Sequence, residues 1–99
     1  MRFGIFIYDG VEPIDLATFG VLSMARRIAP EISICIIAPR AGAVALANGL
    51  KVTADYGIDD APACDIVIVT GHPRALETAF RSETGDIQPP RNFTLIISV

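Results

Sequence analysis

At 99 residues the chain holds one small domain, and it is apolar for its size: 52% of its residues are hydrophobic and only 19% charged, with a mean hydropathy of +0.50. Its apolar runs are strand-sized, far short of the about 20 consecutive positions a membrane-spanning helix needs, and strand-like sequence starting at Arg2 lacks the pattern of a signal peptide, so a cytoplasmic protein with no membrane partner is expected. A net charge of −3 gives no basic footprint for nucleic acid through this segment, and Cys35 and Cys64, without a Cys-x-x-Cys spacing or a nearby histidine, suggest neither a metal site nor a cytoplasmic disulfide.

Residues 2–8 form a short apolar run closed by Asp9-Gly10, the pattern of a buried strand. Pro13 suits the first turn of a helix, where its missing N–H is not needed. Apolar residues then recur at helical spacing at Ile14, Ala17, Val21, Ala25 and Ile28, with Leu22 widening the stripe. Pro30 ends that helix, because proline disfavours helical geometry in the residue before it. A second strand over 32–38 is rich in isoleucine and closed by Pro39.

Two extended runs, 44–47 and 50–54, flank Asn48-Gly49, which predicts a hairpin with a type I′ turn because both central residues of such a turn need positive φ. A polar stretch separates it from a β-branched strand over 65–70, ended by Gly71. Residues 74–81 are expected to be a short helix, 82–92 a loop rich in charge, Gly and Pro, and 94–99 a last strand. Strands apolar on both faces predict a mostly parallel sheet with helices on both sides, an α/β fold of flavodoxin-like type with a β-hairpin insertion. Two helices are too few for a sheet of about four parallel strands, and the closing strand lacks a returning helix, so the chain reads as truncated.

Ligands of open parallel sheets bind beyond the carboxyl ends of the strands. The first such loop carries Tyr8, Asp9, Glu12 and Asp15; the next begins at Gly71-His72. No Gly-x-Gly-x-x-Gly follows a strand, so a dinucleotide site is not indicated, and no cofactor or metal is expected. Asp15 is the leading candidate acid, although an acidic residue in the first turn of a helix is also what the helix dipole favours. Gly71 can end a strand and also offer a backbone amide to an oxyanion. Tyr8 is a candidate pocket wall. Glu12 and His72 lie at the rim, where a solvated side chain is the ordinary reading. Cys35, in mid-strand, and Cys64, at the start of a strand, have the positions of buried inert thiols.

The order GIFIYDGVEPIDLATFGVLSMA, ISICIIAPRAG, NGLKVTADYGIDDAPACDIVIVTG and TLIISV resembles the N-terminal half of a ThiJ/PfpI superfamily domain, the class I glutamine amidotransferase-like fold. It is most similar to the branch holding isonitrile hydratases and the amidase-like sensor domains of AraC-type regulators, on the strength of Ile14-Asp15 early in the first helix. The resemblance takes residues 1–99 as the N-terminal half of one domain. It implies a nucleophilic cysteine on a strand-to-helix elbow after the 94–99 strand, with Asp15 as its carboxylate partner and Gly71 and His72 at the oxyanion hole. It further implies a small-molecule substrate or ligand and a homodimer. In complete form the domain would be a cysteine-dependent hydratase or hydrolase; the alternative is a non-catalytic sensor domain of a transcriptional regulator. Two features depart from the family pattern: His72 stands where a second glycine is usual, and Leu-Ala-Thr-Phe-Gly follows Asp15 in place of a Gly-Pro sequence.

Overall fold

Seven strands form the framework of the chain in a computed structural model that describes residues 1–71 and 93–98. They are β1 (Arg2–Phe6), β2 (Ser33–Ala38), β3 (Gly42–Ala45), β4 (Lys51–Ala54), β5 (Tyr56–Gly57), β6 (Cys64–Val69) and β7 (Phe93–Ser98). A 3-10 turn at Pro13–Leu16 leads into the helix α1 (Ala17–Ala25). The expected helix at 74–81, the loop at 82–92, His72 and Val99 lie outside the described residues.

Five strands form one sheet in the order β5-β2-β1-β6-β7, every pair parallel. The α/β architecture with a separate antiparallel hairpin, β3-β4, agrees with the expectation from the apolar runs. The sheet has one more strand than expected, because Tyr56–Gly57 pairs beside Ile37–Ala38 at the β2 edge. The chain leaves β1 toward β2 and returns on the other side at β6, so the switch point of the sheet lies between β1 and β6.

Alternation along the central strands sends side chains to two cores. Phe6, Cys35, Ile37, Val67 and Val69 fill one face, against Ala61 and Ile58. Ile5, Ile7, Ile36 and Ala38 fill the other, against Leu16 and Leu22 and the hairpin residues Val44, Leu46 and Ala54. Burying a side chain of this size stabilises the fold by about 1.5–3 kcal/mol, so these central residues dominate its stability. The hairpin therefore does part of the covering that a second helix would otherwise do. Asp55 completes the free edge of β2: its N–H donates to the Ile36 carbonyl, 2.9 Å away, and its carboxylate accepts from the Ile36 N–H at 2.9 Å.

The expected helix stripe is met only in part. Leu22 packs on the sheet, together with Leu16, but Ile14, Val21 and Ile28 are exposed, Ile28 at 91%, as is Met24. α1 reads ATFGVLSMA, apolar nearly all round, so its periodicity does not select the buried side. The hairpin turn also differs. Leu46 N–H donates to Leu50 O at 2.7 Å, leaving Ala47–Gly49 as a three-residue loop instead of a two-residue type I′ turn. Asn48 (φ 62°) and Gly49 (φ 85°) do take the positive φ that Asn-Gly supplies.

Candidate functional site at the carboxyl ends of β1 and β6

The loop after β1 is built around a tight turn. Val11 N–H donates to Tyr8 O at 3.1 Å, and Gly10, third in the turn, sits at φ 85°, a conformation that glycine adopts without a Cβ penalty. Val11 is buried beneath the hairpin. Two backbone bonds clip the loop to β3 and its turn: Gly10 N–H to Ala45 O at 2.9 Å and Ala47 N–H to Val11 O at 3.0 Å. Pro13 occupies the first helical turn as its fixed φ favours, and Asp15 follows, partly buried.

This anchoring brings three residues together over the switch point. The Tyr8 hydroxyl donates to the Thr70 carbonyl at 2.9 Å, joining the end of β1 to the end of β6. Gly71, at φ 93°, lies directly beneath: a Cβ built there would overlap the Tyr8 hydroxyl and stand 3.2 Å from Asp15 Oδ2. The backbone at 71 is therefore approached closely by both a carboxylate and a phenol, and only glycine fits. β7 runs parallel beside β6 with Ser98 in register with Val69, so β7 ends beside the residue that precedes Thr70 and Gly71.

Of the residues singled out from sequence, Tyr8, Asp15 and Gly71 thus converge. Glu12 is exposed, and its described role is through the backbone, its carbonyl accepting from Asp15 N–H at 2.9 Å. Among the described residues no group of three or more His, Cys, Asp or Glu is placed to hold a metal ion, and no helix is long and apolar enough to cross a membrane.

The two thiols lie away from this cluster, in the core. Cys35 Sγ and Cys64 Sγ are 3.9 Å apart, and Cys64 also approaches Pro62 O at 3.4 Å. Burial pushes the Cys35 thiol up to about 12, with Cys64 beside it adding to the shift. Burial also raises Cys64, partly offset by its contact with Cys35. Thiols held protonated in this way are poor nucleophiles. A strand separates them: Cys35 pairs with Gly4 of β1, which pairs in turn with Val67 of β6.

One further feature at this end of the sheet carries no sequence motif. A cavity of about 680 Å³ opens at the carboxyl ends of β1 and β2, lined by Tyr8, Asp9, Arg40 and Val44 among others. Its trace in the sequence is a Pro-Arg-Ala-Gly turn immediately after a buried strand, at the end of the sheet where ligands bind.

The chain's architecture has clear counterparts. The fold is the one seen in solved DJ-1 superfamily structures. A DJ-1 superfamily protein from Agrobacterium tumefaciens matches 69% of the chain at 24% identity and a TM-score of 0.54. A cysteine-to-alanine mutant of a DJ-1 superfamily protein from Salmonella typhimurium matches 78% at 20% identity and a TM-score of 0.56. A protein from Vibrio parahaemolyticus described as a candidate transcriptional regulator matches 90% at 13% identity and a TM-score of 0.60. The matched regions cover 36%, 43% and 45% of those three structures respectively, so the chain spans less than half the length of each. No family model and no curated protein sequence matches it.

Proposed function

We propose that the chain supplies the acid-bearing half of a cysteine-dependent site, in a protein that acts as a hydratase or hydrolase on a small molecule. The observation that carries this reading is the placement of the Asp15 carboxylate over the Gly71 backbone, beside the end of β7. A nucleophilic cysteine on an elbow following the 94–99 strand would then lie next to both. A helix N-terminus lowers such a thiol's pKa, and a protonated carboxyl that donates to the sulfur stabilises the thiolate. The Gly71 amide is the matching oxyanion donor, with His72, the next residue in the sequence, as a second candidate.

In the isonitrile version, the thiolate adds to the terminal carbon of R–N≡C while Asp15 delivers a proton to that carbon, giving a thioimidate. Water adds to the thioimidate carbon and the thiolate departs. One proton of that water goes to the nitrogen and the other returns to the Asp15 carboxylate, and an N-substituted formamide leaves. The sum is addition of one water, with no redox change. In this scheme Tyr8 walls the site and holds the β6 end in place through Thr70, and Glu12 stands at the rim.

The test is turnover of an isonitrile by the full-length protein. Asp15→Asn should lower it by about tenfold or more, since positioned acid–base groups contribute about 100- to 10,000-fold. Unchanged turnover removes Asp15 from the mechanism, and a residue other than cysteine at the elbow removes the nucleophile.

A second reading, favoured by the likeness to the candidate regulator, is a non-catalytic sensor domain of an AraC-type regulator. It predicts ligand binding without turnover, and a basic helical DNA-binding segment elsewhere in the protein. Either reading includes a homodimer. The exposed residues Ile14, Val21, Met24 and Ile28, on α1 and the turns flanking it, offer an apolar surface for a second copy, and Val21→Lys should then shift the protein from dimer to monomer in sedimentation. An unchanged dimer would place the interface elsewhere.

A further inference from the structure

The cavity at the ends of β1 and β2 lies on the opposite side of β1 from Thr70 and Gly71, and the proposed thiol chemistry does not use it. At about 680 Å³ it falls within the roughly 300–1,000 Å³ typical of small-molecule pockets. Its floor is apolar, with Ala38 and Val44 buried, and its walls carry one cation and one anion, Arg40 and Asp9.

Both charged residues stand on firmly placed backbone. Asp9 belongs to the Tyr8–Val11 turn that two hydrogen bonds tie to the hairpin. Arg40 lies in the turn Pro39–Gly42, which packs on Gly57 so closely that a Cβ on that glycine would sit 3.4 Å from Arg40 Cα and Ala41 N. Gly42 ends the turn at φ 107°. Arg40 and Asp9 line the same cavity without pairing, and among the described residues neither side chain has a hydrogen-bond or ion-pair partner.

We infer that this cavity is a binding site for a small zwitterion, with Arg40 receiving its carboxylate and Asp9 its ammonium group. Arg40 alone would select a simple anion, but Asp9 on the same wall disfavours one; Asp9 alone would select a cation, which Arg40 disfavours. A ligand carrying both charges satisfies the two residues together. The guanidinium fork matches a carboxylate bidentately, and the buried alanine and valine accommodate a short aliphatic spacer. Tyr8 forms part of the wall, and its hydroxyl reaches Thr70, so a ligand here lies one side chain away from the Asp15 cluster.

Calorimetric titration of the full-length protein with glycine, β-alanine and 4-aminobutyrate, against propionate and propylammonium, tests this assignment. At least one amino acid of the series should bind at least tenfold more tightly than either singly charged compound. Arg40→Gln and Asp9→Asn should each weaken that binding tenfold or more; both positions are exposed, and asparagine retains the turn-forming character of aspartate. Asp15→Asn should leave binding unchanged while it lowers turnover, which separates this site from the proposed chemistry. Failure of the whole series to bind, equal binding of propionate, or full binding by Arg40→Gln would each overturn the assignment.

Discussion

The Tyr8 hydroxyl and the Thr70 carbonyl, 2.9 Å apart, tie the end of β1 to the end of β6 at the one place where the chain's path through the sheet reverses. Tyr8 also stacks on Phe6, with ring centroids 6.1 Å apart, so the phenol is held by its ring as well as by its hydroxyl. Tyr8→Phe keeps the ring and removes the donor. A neutral hydrogen bond of this kind contributes about 0.5–1.5 kcal/mol net, and urea denaturation of the variant should show a loss in that range with the slope of the transition unchanged. A variant as stable as the parent would mean that the bond merely exchanges for water.

Gly71→Ala probes the same junction from below. The added methyl would overlap the Tyr8 hydroxyl and approach Asp15 Oδ2 to 3.2 Å, on a backbone at φ 93° that a side chain strains by about 1–3 kcal/mol. The expected outcome is a stability loss of about that size, accompanied by a larger loss of turnover than Tyr8→Phe produces. Retained turnover would separate the Gly71 backbone from the chemistry.

The buried thiols give a pH signature. Burial raises the Cys35 thiol from 9.0 to about 12, and it raises Cys64 as well. In the unfolded chain these groups lose their protons near pH 9, whereas in the folded chain they keep them. Their contribution is therefore fully present below pH 9 and is lost as pH rises toward 12, because the unfolded state then binds fewer protons than the native one. Denaturation midpoints between pH 8 and 11 should fall more steeply for the parent than for Cys35→Ala. Equal slopes would show that the thiol ionises freely in the native state. Below pH 9, both cysteines should resist thiol reagents until the protein unfolds.

The parallel strands were legible because each is a short apolar run bounded by turn residues, rich in Ile or in Val and Ile at β2 and β6. The convergence of Tyr8, Asp15 and Gly71 was legible for a related reason: the strand ends fix which loops share one edge of the sheet. What escaped was whatever depended on packing rather than pattern. The two-residue strand Tyr56–Gly57 is too short to show a period, and it lies in a polar stretch. α1 is apolar on several sides, so the choice of Leu16 and Leu22 as its buried face came from the hairpin and sheet it meets. Arg40 was passed over because an arginine in a turn reads as solvated until the cavity beneath it is seen.

Gly4 gives the sharpest test of the core. It lies in β1 between Cys35 and Val67, and a Cβ there would come within 2.7 Å of Ile37 Cδ1 and 3.3 Å of both Cys64 Sγ and Val67 Cγ2. The missing side chain is what allows the two thiols to meet across an intervening strand. No positive φ is involved, so a substitution acts through space alone. Two effects compete in Gly4→Ala: alanine lowers the backbone entropy of the unfolded chain, a gain of about 0.4–1 kcal/mol, while overpacking a filled core costs about 1–3 kcal/mol. Ile37 is fully buried, so its terminal methyl has little room to withdraw, and the second effect should win. The variant should be less stable by about 1–2 kcal/mol. Pairing it with Ile37→Val, which removes the methyl that the new carbon would meet, should recover part of that loss. If the double variant is instead less stable than the sum of the two single changes, the Ile37 contact is not the source of the strain.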